Sequence, residues 1–215
     1  TMNSRERVDI ALKRKQPDRV PYCELGVDRE LATYWMDWGK PSVPLGMLEI
    51  NPYSVDEAKA LASFLKLDNI GYVLRPPVYV HRRAGQNGRL FYGEGMIKTE
   101  ADLALLQAPD PRDDSLYDEA RRFVDNKGDF SAWFITRIGV FSAMLSMGIE
   151  HFCLMLYDNL RLVEQVLDYY FDWSAAVAER VCRMGFDVFV STDDMAFKTA
   201  PLFSPVVFRE VILPR

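Results

Sequence analysis

The chain has 215 residues, enough for one domain with a real core, and its 49% hydrophobic and 27% charged residues are ordinary for a soluble globular protein. A net charge of −5 with dispersed basic residues argues against nucleic acid or an anionic membrane surface as a partner. No apolar stretch reaches the roughly 18 residues that span a bilayer, and the charged start TMNSRERVDIAL lacks a signal-peptide core, so a cytoplasmic location is expected.

In chain order, Ser4 is the expected cap of a helix over residues 5–15, stopped by Pro17. Residues 20–25 read as a first strand ending at Glu24, and residues 27–38 read as a helix. The stretch 39–52 is rich in proline and glycine and reads as a long loop of the lid or binding type. Ser54 and Glu57 have capping-box spacing, which opens a helix to about Lys66. A second strand follows over 69–74, then Arg75 and Pro76-Pro77. Residues 78–82 and 89–92 flank Gly85-Gln86-Asn87-Gly88, an Asn-Gly hairpin signal outside the main sheet. Thr99 starts a short helix, residues 114–126 form another that Gly128 ends, and 131–136 is a core strand followed by Arg137 and Gly139. Residues 140–157 read as one or two helices, whose methionine-rich stripe is core packing and not a cofactor box. Asp158 or Asn159 caps the longest helix, about 160–183, with Val163, Val166, Leu167, Tyr170, Trp173, Val177 and Val181 at helical spacing.

The chain is organised around residues 185–205, GFDVFVSTDDMAFKTAPLFSP. A short apolar strand, Val188-Phe189-Val190, runs into Ser191, Thr192 and the paired carboxylates Asp193 and Asp194. A strand that ends in clustered polar groups is how parallel α/β folds build sites; capping of the strand end is the structural alternative. A loop with Lys198 follows, and Ser204-Pro205 opens a new helix. Strands separated by helices imply a parallel sheet with right-handed crossovers.

Three widely spaced cysteines, Cys23, Cys153 and Cys182, fit reduced thiols. His151 and Cys153 lie two apart in a helical segment and so point to different faces, which argues against a metal site there.

Three blocks together carry a family resemblance: Asn3-Ser4-Arg5-Glu6-Arg7 with Pro17-Asp18-Arg19-Val20-Pro21; Arg137-Ile138-Gly139 through Asn159 and the long helix; and Gly185-Phe186-Asp187 with Thr192-Asp193-Asp194-Met195 and Pro201-Leu202-Phe203-Ser204-Pro205. On these residues the chain resembles the uroporphyrinogen decarboxylase superfamily, which holds both the haem-pathway decarboxylase and cobalamin-linked methyltransferases. The resemblance implies an α/β fold, a TIM (β/α)8 barrel of which this chain supplies about the N-terminal half. It implies one domain over residues 1–215, cut after its fourth β/α unit. An open half-barrel would expose strand edges and an apolar interior, so completion by a second copy in a homodimer is an alternative to truncation.

Within the superfamily the decarboxylase features are missing. Cys23-Glu24-Leu25-Gly26-Val27-Asp28-Arg29 stands where that enzyme has an Arg-Gln-Ala-Gly-Arg type motif, Arg75-Pro76 replaces its aspartate, and no tyrosine occurs over 138–147. The methyltransferase branch is the closer resemblance. It implies methyl transfer or demethylation of a small-molecule substrate, a corrinoid carried by a partner protein and, in some members, zinc held by a His-x-Cys pair and a later Cys outside this chain. A decarboxylase would need no cofactor. Uroporphyrinogen decarboxylation and a binding-only half-barrel are the competing readings.

In such a barrel the candidate site residues stand at the C-terminal strand ends. Asp193 and Asp194 are the catalytic candidates, as general base or as the group that orients a protonated substrate. Arg137 is the candidate donor to a substrate carboxylate or phosphate, with Arg75 and Glu24 as further substrate-binding candidates. No metal ligand is assigned in the chain. For each residue the competing structural reading is an ion pair at the barrel mouth.

Overall fold

Short-range capping decides where the first three helices begin. In the computed structural model, which describes residues 2–39, 49–85 and 88–215, α1 (Ser4–Leu12) is capped by Asn3 and not by Ser4. Asn3 Oδ1 accepts from the Glu6 amide at 2.8 Å and Glu6 returns a carboxylate oxygen to the Asn3 amide at 3.0 Å, a reciprocal capping box. Asp28 caps α2 (Arg29–Met36), and the expected Ser54–Glu57 box opens α3 (Val55–Leu65). The strand β1 (Asn69–Val73) follows, then the hairpin β2 (Val80–Ala84) and β3 (Leu90–Gly95). A 3-10 turn over Glu100–Leu105 and another over Asp114–Tyr117 precede α4 (Asp118–Asp125) and β4 (Ser131–Thr136). Then come α5 (Val140–Met147), α6 (Ile149–Asp158), α7 (Leu160–Val181) and β5 (Val188–Ser191). Ser204 caps a turn, Pro205–Val207, that passes into π-helical Phe208–Ile212. Most of the loop expected over 39–52, and the Gln86-Asn87 turn, lie outside the described residues.

The first expected strand, residues 20–25, is not a strand. The segment runs beside β1, but side chains stand in for most of the ladder. Tyr22 N donates to Asp68 Oδ2 at 2.8 Å, Glu24 N to Asn69 Oδ1 at 3.0 Å, and Asn69 Nδ2 to Glu24 O at 2.8 Å. Only Asp68 N to Tyr22 O, at 2.7 Å, is a backbone bond, and Pro21 has no amide to offer.

The sheet has the order β1-β4-β5, with β1 and β4 parallel from Asn69 beside Ser131 to Val73 beside Ile135. The expected α/β class with a parallel sheet therefore holds, with three strands in this sheet among the described residues. No single helix among those residues is long and apolar enough to cross a membrane.

By compactness the chain divides into two units. The first comprises Thr1–Arg75, Asp113–Thr136 and Ala178–Val190 and contains the sheet up to Val190. Aromatic rings pack on it: Phe134 stacks on Phe189 with centroids 5.9 Å apart and meets Phe186 edge-on at 5.2 Å. The second comprises Pro76–Arg112, Arg137–Val177 and Ser191–Arg215. Its core is built on α7, where Val163, Val166, Leu167, Tyr170 and Val177 are fully buried, as their spacing predicts. The β2–β3 hairpin docks on the corner where α5 and α6 meet at 97°. Gly95 is required there, because a Cβ would lie 2.3 Å from the Gly148 amide. Ile97 N and Lys98 Nζ donate to the Ser146 and Met147 carbonyls at 2.9 and 3.0 Å, satisfying the open end of α5.

Candidate functional site

In the second unit, Asp193 is joined to the segment that carries Arg137. Asp193 Oδ2 accepts from Ile138 N at 2.6 Å and Ser191 Oγ at 2.8 Å, and Oδ1 accepts from Phe141 N at 2.8 Å and Gly139 N at 3.3 Å. The carboxylate therefore serves the open amides at the start of α5 from a residue more than fifty positions away in the chain. Gly139 makes this turn possible. Its φ is +153°, and a Cβ would come within 3.0 Å of the Phe171 ring.

Arg137 is only 4% exposed. Its guanidinium carbon lies 5.0 Å from the Phe141 ring centre and 5.9 Å from that of Tyr92, within reach of both as a stacked cation. Arg82 stacks on the same Tyr92 ring at 5.2 Å. The main chain of Arg137 is held from the other side, where the buried Ser174 hydroxyl donates to its carbonyl at 2.9 Å. Tyr92 and Arg82 are not legible in the sequence, because no local spacing links a hairpin residue to the end of a later strand.

Asp194 differs from its neighbour. It is exposed, and among the described residues its Oδ1 accepts a long bond, 3.4 Å, from Ala196 N. The loop beyond it is closed by Phe197 N to Ala200 O at 2.7 Å and Leu202 N to Met195 O at 3.0 Å, and leaves Lys198 exposed.

Glu24 and Arg75 belong to the first unit. Glu24 is exposed and lines a cavity of about 50 Å³ with Leu25, Val27, Tyr53, Leu61 and Gly71. That volume holds a few waters, far below the roughly 300 Å³ at which ligand pockets begin. Arg75 is half-buried. A larger groove of about 480 Å³ lies by the first residues of β4 and β5, lined by Arg5, Asp9, Ser131 and Asp187 among others. Its charges hold one another: Arg5 and Lys127 bond Asp187 at 2.7 and 2.9 Å, and Lys13 bonds Asp9 at 2.7 Å.

The first resemblance block builds a network that its spacing does not reveal. Fully buried Asp68 accepts from Arg7 Nη1 at 2.6 Å, from Arg19 Nη1 and Nη2 at 2.7 and 2.9 Å, and from Tyr22 N. Arg7 also grips Asp18 with two bonds, at 2.6 and 3.0 Å. The hydrogen bond from Arg7 holds the Asp18 carboxyl at about 2. Burial pushes the Asp68 carboxyl up, but the Tyr22 amide and the two guanidiniums outweigh it and keep it below the usual range.

No three His, Cys, Asp or Glu side chains converge as a metal-binding group among the described residues. His151 Nε2 donates to the Lys98 carbonyl at 3.1 Å, and burial pushes the Cys153 thiol up. Burial also raises the Cys23 thiol, to about 11, so it stays protonated at neutral pH. These residues do not fit a zinc site.

No protein-family model matches the sequence, and no curated protein does. Among solved structures, a methyltransferase from Methanosarcina mazei is similar with a TM-score of 0.67 and 18% identity. The likeness covers 99% of this chain and 64% of that one, so the chain spans about 64% of the methyltransferase's length and shares its fold over that stretch.

Proposed function

We propose that the chain works as a methyltransferase-like enzyme of the uroporphyrinogen decarboxylase superfamily, with its sheet forming part of a TIM barrel. It moves a methyl group between a small substrate and a corrinoid carried by a partner protein. The observation that carries this reading is the fold likeness to a methyltransferase along 99% of the chain. The absent decarboxylase motifs around Cys23, Arg75 and 138–147 favour it over porphyrinogen chemistry.

The corrinoid, held by the partner, supplies or receives the methyl group. Arg137 holds a carboxylate or phosphate of the substrate as a fork of donors, with Phe141 and Tyr92 stacked against its guanidinium. Asp194, exposed on the strand-end loop, takes the proton from the methyl acceptor as general base. No step is routed through zinc.

The test follows the visible absorbance of free methylcobalamin with a panel of small carboxylated thiols. Protein-dependent loss of the methylcobalamin band is the expected result. Decarboxylation of uroporphyrinogen with no such loss would replace this reading by the decarboxylase one, and neither activity would leave a binding role.

A further inference from the structure

We propose that Asp193 is a positioning residue: with Ser174 it clamps the 137–141 segment and so sets where the Arg137 guanidinium stands. A carboxylate offers about four lone-pair sites. Those of Asp193 meet four donors, namely the Ile138, Gly139 and Phe141 amides and the Ser191 hydroxyl. A general base must aim a lone pair at the proton it removes, and here the lone pairs are already committed. The peptide joining Arg137 to Ile138 is fixed at both ends: its N–H donates to Asp193 and its carbonyl accepts from the 3%-exposed Ser174. The guanidinium that this backbone carries stands against the Phe141 and Tyr92 rings. Phe141 is itself held by Asp193 through its amide, so one carboxylate places both the cation and a ring that it stacks on. The inference rests on the reading in which Arg137 contacts substrate, but its test does not depend on methyl transfer.

The test is the Arg137 Nε–H resonance of the full chain, which ring currents from Phe141 and Tyr92 displace from the position of an unstacked arginine. Asp193→Ala is expected to move it toward the unstacked position, Asp193→Asn to move it less because one acceptor oxygen remains, and Ser174→Ala to move it in the same direction. A mere loss of stability would lower the melting temperature of each variant and leave the native-state resonance in place. If Asp193→Ala does not fold, Ser174→Ala carries the test. A resonance unmoved in the folded alanine variants would overturn the proposal. If the resonance moves as expected while no methyl transfer is found, the clamp stands and the enzymatic reading fails.

Discussion

Asp68 and Asp193 are both saturated by donors, but by donors of different kinds. Asp68 is fully buried and faces two arginines as well as the Tyr22 amide. Asp193 is half-buried, and among the described residues its hydrogen-bond donors are neutral, three amides and a hydroxyl. The first arrangement ties the chain's opening residues to the start of a strand. The second ties the residues after one strand to those after another. Charge pairing in a buried place makes the first a matter of fold stability, because removing one partner strands the others. Backbone donors make the second a matter of local geometry, because a stranded amide carries no net charge and costs less than a stranded buried ion.

Variants can sharpen or break this contrast. The largest effect is expected from Asp68→Ala, which leaves Arg7, only 7% exposed, without its buried partner. Urea unfolding should show a loss of about 3–5 kcal/mol. A loss below about 1 kcal/mol would place the network with ordinary surface pairs. Asp193→Ala should cost less, about 1–3 kcal/mol, with faster hydrogen exchange at the Ile138, Gly139 and Phe141 amides. Equal losses in the two variants would erase the distinction.

Acid provides a milder probe of the first region. Asp18 and Asp68 have folded-state values below their unfolded ones, Asp18 at about 2. Their contribution is therefore present in full above the unfolded value near about 4 and is lost as pH falls from there toward the folded value. The urea midpoint should drop over that interval, and Asp68→Asn should flatten part of the drop. An unchanged acid limb in the variant would remove Asp68 from the account. The smallest effect belongs to Arg5→Ala: the Arg5 side chain is 57% exposed in its pair with Asp187, and about 0.2–1 kcal/mol is expected from the same unfolding curve.

Much of the fold was legible where the signal is local. The Ser54–Glu57 box, the strand Ser131–Thr136 and the buried stripe of α7 depend on spacing within one element, and each stands where that spacing puts it. The cap of α1 was legible too, but misread: Glu6 lies three residues after Asn3, whereas the residue three after Ser4 is Arg7. Residues 20–25 failed for a different reason. Their β propensity is real, but whether they join a ladder depends on Asp68 and Asn69, more than forty residues away. The candidate site was half legible. Strand ends pointed to Arg137, Asp193 and Asp194, yet composition cannot tell a carboxylate with its lone pairs committed from one that is exposed. That difference lies in amides 52 to 55 positions from Asp193.

The most direct test of the central claim compares wild-type protein with Asp194→Asn in the methylcobalamin assay. The wild type should consume methylcobalamin, and the variant should be slower by roughly 10²–10⁴-fold in kcat, the usual worth of a general base. Equal rates in the two proteins, or no turnover by the wild type, would contradict it.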